Sequence, residues 1–294
     1  MNLMRDNLGD KYNILDLQNQ LLNIMVDIDK FCNENNIDYC LMAGSALGAE
    51  RHHGFIPWDD DIDIYMTEDS YSNFRKKFNG DNDIKERYYL QEWGKTDING
   101  NTYITMAKVR LNGSMIYEET YKDWKIHQGL FVDIFILHKT SNNKFKQKIQ
   151  YLFTEAVVLK GLQVRRYHYK SFKEMILLKF SKIIPRIVLL KIGLKKTYCY
   201  QNKDTDYYHG FVDTRSFSRA VYKKDVLFPT KYVDFEKVKL KVPAKNDEYL
   251  KIQFGPDYMT LPPEEKRPIH KHTNGWKIDS KIIYKELLDE NKLI

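Results

Sequence analysis

Four aspartates stand close together in the stretch Leu41–Met66, LMAGSALGAERHHGFIPWDDDIDIYM, and they set the chemistry to look for. Asp61 and Asp63 are two residues apart, with Ile62 between them and Ile64 after. On a strand, residues i and i+2 share a face, so both carboxylates point one way and both isoleucines into a core. Two like charges that close are costly unless a cation sits between them. A hard divalent cation such as Mg²⁺ or Mn²⁺, held by carboxylates and by substrate phosphates, meets that need. Asp59 has the same parity and is a further candidate ligand if the strand begins that early, whereas Asp60 has the opposite parity and is left out. The Asp-x-Asp-x-Asp spacing also opens a calcium-binding EF-hand loop, but position six is Ile64 rather than Gly and position twelve is Ser70 rather than Glu. Metal-dependent phosphate transfer is the chemistry these residues suggest.

Neighbouring residues fit the same idea. Tyr39–Ala43 reads as a short buried strand and Gly44-Ser45 as the sharp turn that ends it, where free amides and a hydroxyl meet phosphate oxygens. Gly129–Ile136, GLFVDIFI, is an apolar run with one carboxylate, Asp133, as in a buried strand. Such an Asp is expensive unless it is paired, metal-bound or hydrogen-bonded. Lys108 and Arg110 lie two apart in the strand expected from Tyr103 to Val109 and just beyond it. They share a face, either towards anionic phosphates or as an exposed basic edge. Trp58 is suited to stacking on a base or to a core, and Arg51-His52-His53 to a phosphate contact or a polar loop; His270-x-His272 could bind a transition metal, but with no Cys or acidic partner at ligand spacing it reads as a solvated tail.

Strand, Gly-Ser, connecting segment and Asp-x-Asp on a neighbouring strand is the pattern of the nucleotidyltransferase superfamily. The fuller run GSALGAERHHGFIPWDDDIDI resembles the signature of the LicD family of phosphotransferases. The Gly-x-x-x-Asp-Ile-Phe segment at Gly129–Phe135 is similar to one of that family, with Ile136 in place of its Pro. So is the C-terminal VP…YL…FGPDYM…LPP element, with Phe254 in place of a Tyr. The likeness runs from about residue 15 to 270 and is least specific over 140–227. It implies an α/β (α+β) fold: a nucleotidyltransferase-like mixed sheet flanked by helices, with a basic helical insertion. It implies that Asp61, Asp63 and Asp133 hold the metal and do the chemistry, Asp133 as third ligand or general base. Gly44, Ser45, Arg51, Lys108 and Arg110 would bind the phosphates. The implied reaction moves a phospho-alcohol, most often phosphocholine, from CDP-choline or a related CDP-alcohol to a sugar hydroxyl of a cell-surface glycan, releasing CMP. Lipopolysaccharide and teichoic acid are acceptors of that kind, with a lipid-linked glycan a further variant. Two alternatives stay open: transfer of an NMP from an NTP with release of pyrophosphate, and glycan binding on a degenerate transferase fold. The residues do not choose among choline, ethanolamine, glycerol and ribitol, nor say which of forty aromatics would wall a choline group.

The elements that must position these residues show as hydrophobic periodicity. Leu17, Leu21, Ile24, Ile28 and Phe31 form one face of a helix that the Asn-rich residues 33–36 end. Thr67-Glu68-Asp69 reads as a capped helix start, with Tyr71, Phe74 and Phe78 on one side. Residues 79–86 read as a polar turn, Tyr88–Trp93 as a strand, and Asn112-Gly113 as a turn. Two short strands, a helix and a loop follow Phe228. No repeat and no long linker interrupts the chain, so residues 1–294 are expected to form one domain, with 140–200 inserted in it.

Composition bounds the setting. The 294 residues are 43% apolar and 30% charged, as in a folded globular chain. Three cysteines without a paired spacing suit a reducing compartment. The first residues lack an apolar signal core, and no apolar run reaches the roughly 18 residues of a spanning helix, so a cytoplasmic protein is expected. The net charge of +7 is uneven. Between Lys139 and Lys203 sixteen Lys or Arg face two acids, a net of +14, so the rest sums to −7. Apolar clusters within that stretch suggest either a peripheral contact with the inner face of a membrane or a helical layer whose lysines meet water. No recognition motif accompanies the charge, so nucleic acid is not an expected partner.

Overall fold

In a computed structural model of the chain, the residues described are 11–80, 83–92, 106–117, 126–164, 185–211, 216–267 and 275–279, with single positions 176, 179 and 183. They divide into two compact units, one comprising residues 1–91, 107–135 and 225–294, the other 92–106 and 136–224.

In the first unit, helix α1 (Leu15–Glu34) buries Leu17, Leu21, Ile24, Ile28 and Phe31, the face that the periodicity predicted. The short strand β1 (Cys40–Leu41) then pairs antiparallel with β2 (Asp63–Thr67), in the register Cys40↔Tyr65 and Leu41↔Ile64. Between them runs helix α2 (Ala43–His52). Gly44 and Ser45 therefore lie in the first turn of a helix, not in a free turn. The run Ala46, Leu47, Ala49, Glu50 consists of strong helix formers, and three of them are buried. Tertiary packing overrides the local turn signal of Gly-Ser. Helix α3 (Glu68–Phe78) begins where Thr67 Oγ1 accepts from Ser70 N–H (3.1 Å), an N-cap bond, and buries Tyr71, Phe74 and Phe78.

One turn of helix, α4 (Ile84–Arg87), interrupts the stretch expected to be a turn and leads to β3 (Tyr88–Glu92). Strand β4 (Met106–Leu111), the turn at Gly113 (φ 67°) and β5 (Ser114–Ile116) follow. Trp93 and residues 103–105 of the expected strands lie outside the described residues. With β6 (Phe131–Thr140), the strands order β1-β2-β6-β4-β3. The aspartate strand is thus next to the strand of Asp133, and that strand next to the strand of Lys108. The mixed sheet flanked by helices is the α/β architecture expected from the sequence.

The second unit takes the rest of β6 and pairs it antiparallel with β7 (Tyr207–His209), which pairs antiparallel with β8 (Val221–Lys223). Among its described residues are helices α5 (Lys144–Val164) and α6 (Arg186–Thr197). Residues 140–200, the expected insertion, fall in this unit. Among the described residues no helix is long and apolar enough to cross a membrane.

The described residues of the first unit continue with helix α7 (Lys224–Leu227, its first residue in the second unit), the hairpin β9 (Lys231–Phe235) and β10 (Val238–Val242), helix α8 (Asn246–Phe254) and strand β11 (Trp276–Ile278), which pairs with β5. Two short strands, a helix and a loop were expected after Phe228.

Candidate active site

Asp63 opens β2, and its main chain is held on both sides. Its N–H donates to Ser45 Oγ (3.0 Å), and its C=O accepts from Met42 N–H (3.0 Å). The end of β1, the first turn of α2 and the start of β2 are tied at one residue. The alternation predicted from spacing holds: Ile62 and Ile64 are fully buried, while Asp61 and Asp63 are half-buried on the other face. Asp61 precedes the strand rather than lying in it. From the neighbouring strand, Asp133 N–H donates to Ile62 C=O (3.0 Å), which brings that aspartate alongside the pair.

Electrostatics join the carboxylates into one set. Burial pushes Asp63 well above the usual carboxylate range, Asp61, Asp133 and Asp59 push it further, and Lys108 alone pulls it down. Asp59 is raised the same way, by burial first, then by Asp61 and Asp60 and by a hydrogen bond with Asp61. Asp59 is therefore coupled electrostatically to the set, although β2 begins only at Asp63, so strand parity does not place it there. Gly44 makes room for it, because a Cβ at that position would lie 2.7 Å from Asp59 Oδ2. The α2 entry is strained just there: Ala43 has φ 42°, sparsely populated for a residue with a side chain. Its N–H donates to the buried Tyr249 hydroxyl (2.9 Å).

Lys108 faces Asp133 from β4, with Nζ 2.6 Å from Oδ1 and 2.9 Å from Oδ2, and both side chains are buried. The same Nζ lies 3.4 Å from the centroid of the Phe131 ring. Arg110 shares that face, its guanidinium 4.8 Å from the same ring. Its Nε donates to Gln91 Oε1 and its Nη1 to Gly129 C=O (2.7 Å each), and it is wholly buried. Arg110 thus holds the turn into β6.

Arg51 likewise points into structure. Its Nη1 donates to Tyr258 C=O (2.9 Å) and Thr260 C=O (3.5 Å), its Nε to His52 Nε2 (3.0 Å), and it is buried. It ties α2 to the C-terminal loop. Trp58 is packed, with Tyr12 and His52 edge-on and the Arg267 guanidinium 4.7 Å from its ring. Two contributors were missed in the sequence. Gln18, buried on α1, donates to Asp59 C=O (2.7 Å) and Ile56 C=O (3.2 Å). Glu236 Oε1 accepts from Phe55 N–H (3.1 Å), and its own N–H donates to His53 C=O (2.7 Å). A polar residue beside the apolar face of α1 was the available signal for Gln18. Nothing local signals Glu236. His270 and His272 lie outside the described residues.

The donor set, carboxylate oxygens crowded by like charge, is that of a hard divalent cation. Among the described residues, however, no three Asp, Glu, His or Cys side chains converge as ligands of one metal.

Comparison with known proteins bears on the same residues. The profile of the family described as LicD/FKTN/FKRP, nucleotidyltransferase domain, matches residues 36–183, half of the chain, a span that includes Gly44, Ser45, Asp59, Asp61, Asp63, Lys108 and Asp133. Lipopolysaccharide cholinephosphotransferase LicD of Haemophilus influenzae is 29% identical over 262 residues, 85% of this chain and 92% of that protein. An uncharacterized protein of Rickettsia prowazekii is 30% identical over 122 residues, 42% of this chain and 35% of that protein.

Proposed function

Because the chain belongs to the LicD family and is homologous to a transferase, we propose that it moves phosphocholine, or a related phospho-alcohol, from its CDP derivative to a sugar hydroxyl of a cell-surface glycan, releasing CMP. The observation that carries this reading is the set of four carboxylates, Asp59, Asp61, Asp63 and Asp133, with the Lys108 ammonium on Asp133.

Asp61 and Asp63, with Asp59 and Asp133 beside them, are the residues that would hold Mg²⁺ or Mn²⁺. Such an ion would supply positive charge against the phosphates and the departing nucleotide. Asp133 accepts the proton of the acceptor hydroxyl. A bond forms from that oxygen to the phosphorus of the phospho-alcohol, and the phosphoanhydride bond to CMP breaks. Lys108 orients Asp133 and supplies positive charge to the phosphates. Ser45 Oγ accepts from Asp63 N–H, so its own proton is the one to offer a phosphate oxygen. Arg51 and Arg110 act as supports of α2 and β6. The reading takes residues 1–294 as one catalytic chain with 140–200 inserted, working on the cytoplasmic side on a lipopolysaccharide- or teichoic-acid-like acceptor, free or lipid-linked.

³¹P NMR of the protein with Mg²⁺, a glycan acceptor and a panel of CDP-alcohols tests it. The expected result is CMP release with one donor, abolished by EDTA and by Asp61→Asn with Asp63→Asn. Carboxylate-dependent release of pyrophosphate from CTP or ATP would replace it by nucleotidyl transfer. Metal-independent glycan binding without turnover of any donor would make the chain a binding protein.

A further inference from the structure

Helix α5 is inside out over its first three turns. Its polar residues Gln147, Gln150 and Thr154 are buried, while Phe145, Ile149 and Leu152 are 71%, 38% and 64% exposed. The inward face is fully engaged. Gln147 donates to Ser141 C=O (2.7 Å), Gln150 to Thr197 C=O (2.7 Å), and Thr140 Oγ1 donates to Gln150 Oε1 (2.6 Å). Thr154 and Thr197 bond through their hydroxyls (3.0 Å). Buried polar groups so satisfied cost little, and they fix which way the helix faces. The apolar side chains outside follow i, i+4, i+7, one stripe along the helix.

The neighbouring helix extends this surface. Helix α6 packs antiparallel on α5 at glycine distance: a Cβ at Gly193 would lie 2.3 Å from Val157 Cγ2. Beyond that contact it exposes Ile192 (49%), next to the exposed Lys191, Lys195 and Lys196. On α5 the stripe is interleaved with the exposed Lys144, Lys146 and Lys148, and no acid stands among them before Glu155. Exposed apolar side chains embedded in lysines are the composition of a surface that inserts at the headgroup level of an anionic bilayer. A protein partner of matching chemistry would have to bring its own acids. A bilayer of acidic lipid supplies both charge and hydrocarbon to one continuous face.

We propose that the face formed by Phe145, Ile149, Leu152 and Ile192, with its flanking lysines, docks the protein on an anionic phospholipid membrane surface. The aspartate cluster is not needed for this, so it stands or falls apart from the proposed reaction. The test is co-sedimentation of the full chain with vesicles of phosphatidylcholine containing phosphatidylglycerol, beside vesicles of phosphatidylcholine alone. Binding to the anionic vesicles is expected, weakened by added salt because the lysine contribution is screened. Phe145→Ser with Leu152→Ser lowers the partition by about a hundredfold, with an unchanged far-UV circular dichroism spectrum. Lys144→Glu, Lys146→Glu, Lys148→Glu abolishes the preference for anionic vesicles through charge alone. Equal binding by wild type and both variants would overturn the proposal. So would a wild type that ignores vesicles yet self-associates through these residues, which would make the stripe an interface between copies of the chain.

Discussion

Asp133 sits in an apolar strand with the Lys108 ammonium against both of its oxygens. Removing one partner of such a buried pair leaves a charge without compensation, so Lys108→Met is expected to cost about 3–5 kcal/mol in urea unfolding. Adding Asp133→Asn recovers most of that loss but not activity. Asp63 behaves oppositely. Its carboxyl is held above the usual range, so the folded chain binds the proton more tightly than the unfolded one. In the absence of divalent metal, the Asp63 contribution to stability falls as pH rises above the ordinary carboxylate value of 3.8. Asp63→Asn therefore stabilises the metal-free protein at neutral pH while lowering turnover by about a thousandfold. Denaturation in EDTA beside CMP release reads both, and a variant less stable at pH 7 than wild type in EDTA would contradict the repulsion.

At the scale of elements, α2 is set by two glycines with different jobs. At Gly44 the obstacle to a side chain is one carboxylate oxygen, which can swing away, and alanine favours a helix. Gly44→Ala is expected to hold stability within about 1 kcal/mol while displacing Asp59 and weakening metal-dependent turnover. At Gly48 the obstacle is main chain: a Cβ would lie 2.4 Å from Gly54 C=O and 3.1 Å from Ile56 N. Gly48→Ala therefore costs about 2–3 kcal/mol through overpacking. The contrast, read by thermal unfolding and turnover side by side, separates a glycine that admits a ligand group from one that admits the backbone.

Across the whole molecule, acid sensitivity has an origin in neutral buried histidines. Burial, then Arg110, lowers His127 to about 2. Its Nδ1 accepts from Gly129 N–H (3.1 Å) and its Nε2 bonds Asn112 Oδ1 (3.0 Å), leaving no place for a second ring proton. Burial and His138 lower His209 in the same direction. A depressed histidine contributes stability above its unfolded value near 6.5 and loses it as pH falls below that. The histidine contribution to unfolding free energy therefore declines from about pH 6.5 downwards, opposite in sign to that of Asp63, and His127→Gln is expected to remove its share of that decline. A His127→Gln profile parallel to the wild type between pH 7 and 5 would contradict this.

What the sequence determined by itself was local. The i, i+2 spacing of Asp61 and Asp63 dictates a shared face wherever the segment is extended, and the spacing of Leu17, Leu21, Ile24 and Ile28 dictates one buried side of a helix. The carboxylates, Lys108 and the Gly-Ser step could be named from the chain, because their types and intervals carry the chemistry. Partner choice could not. Arg51 and Arg110 look like phosphate ligands in the sequence, and only the packing of the Tyr258 loop against α2 and of Gly129 beside β4 gave their donors to carbonyls. Helix α5 carries apolar and polar residues in comparable number, so its composition does not say which side turns inward. The hydrogen-bonding partners in Thr197, Ser141 and Thr140, one of them forty-seven residues away from Gln150, decided that. Periodicity is a property of neighbours along the chain, whereas the acceptor a buried donor finds is a property of what folding brings beside it.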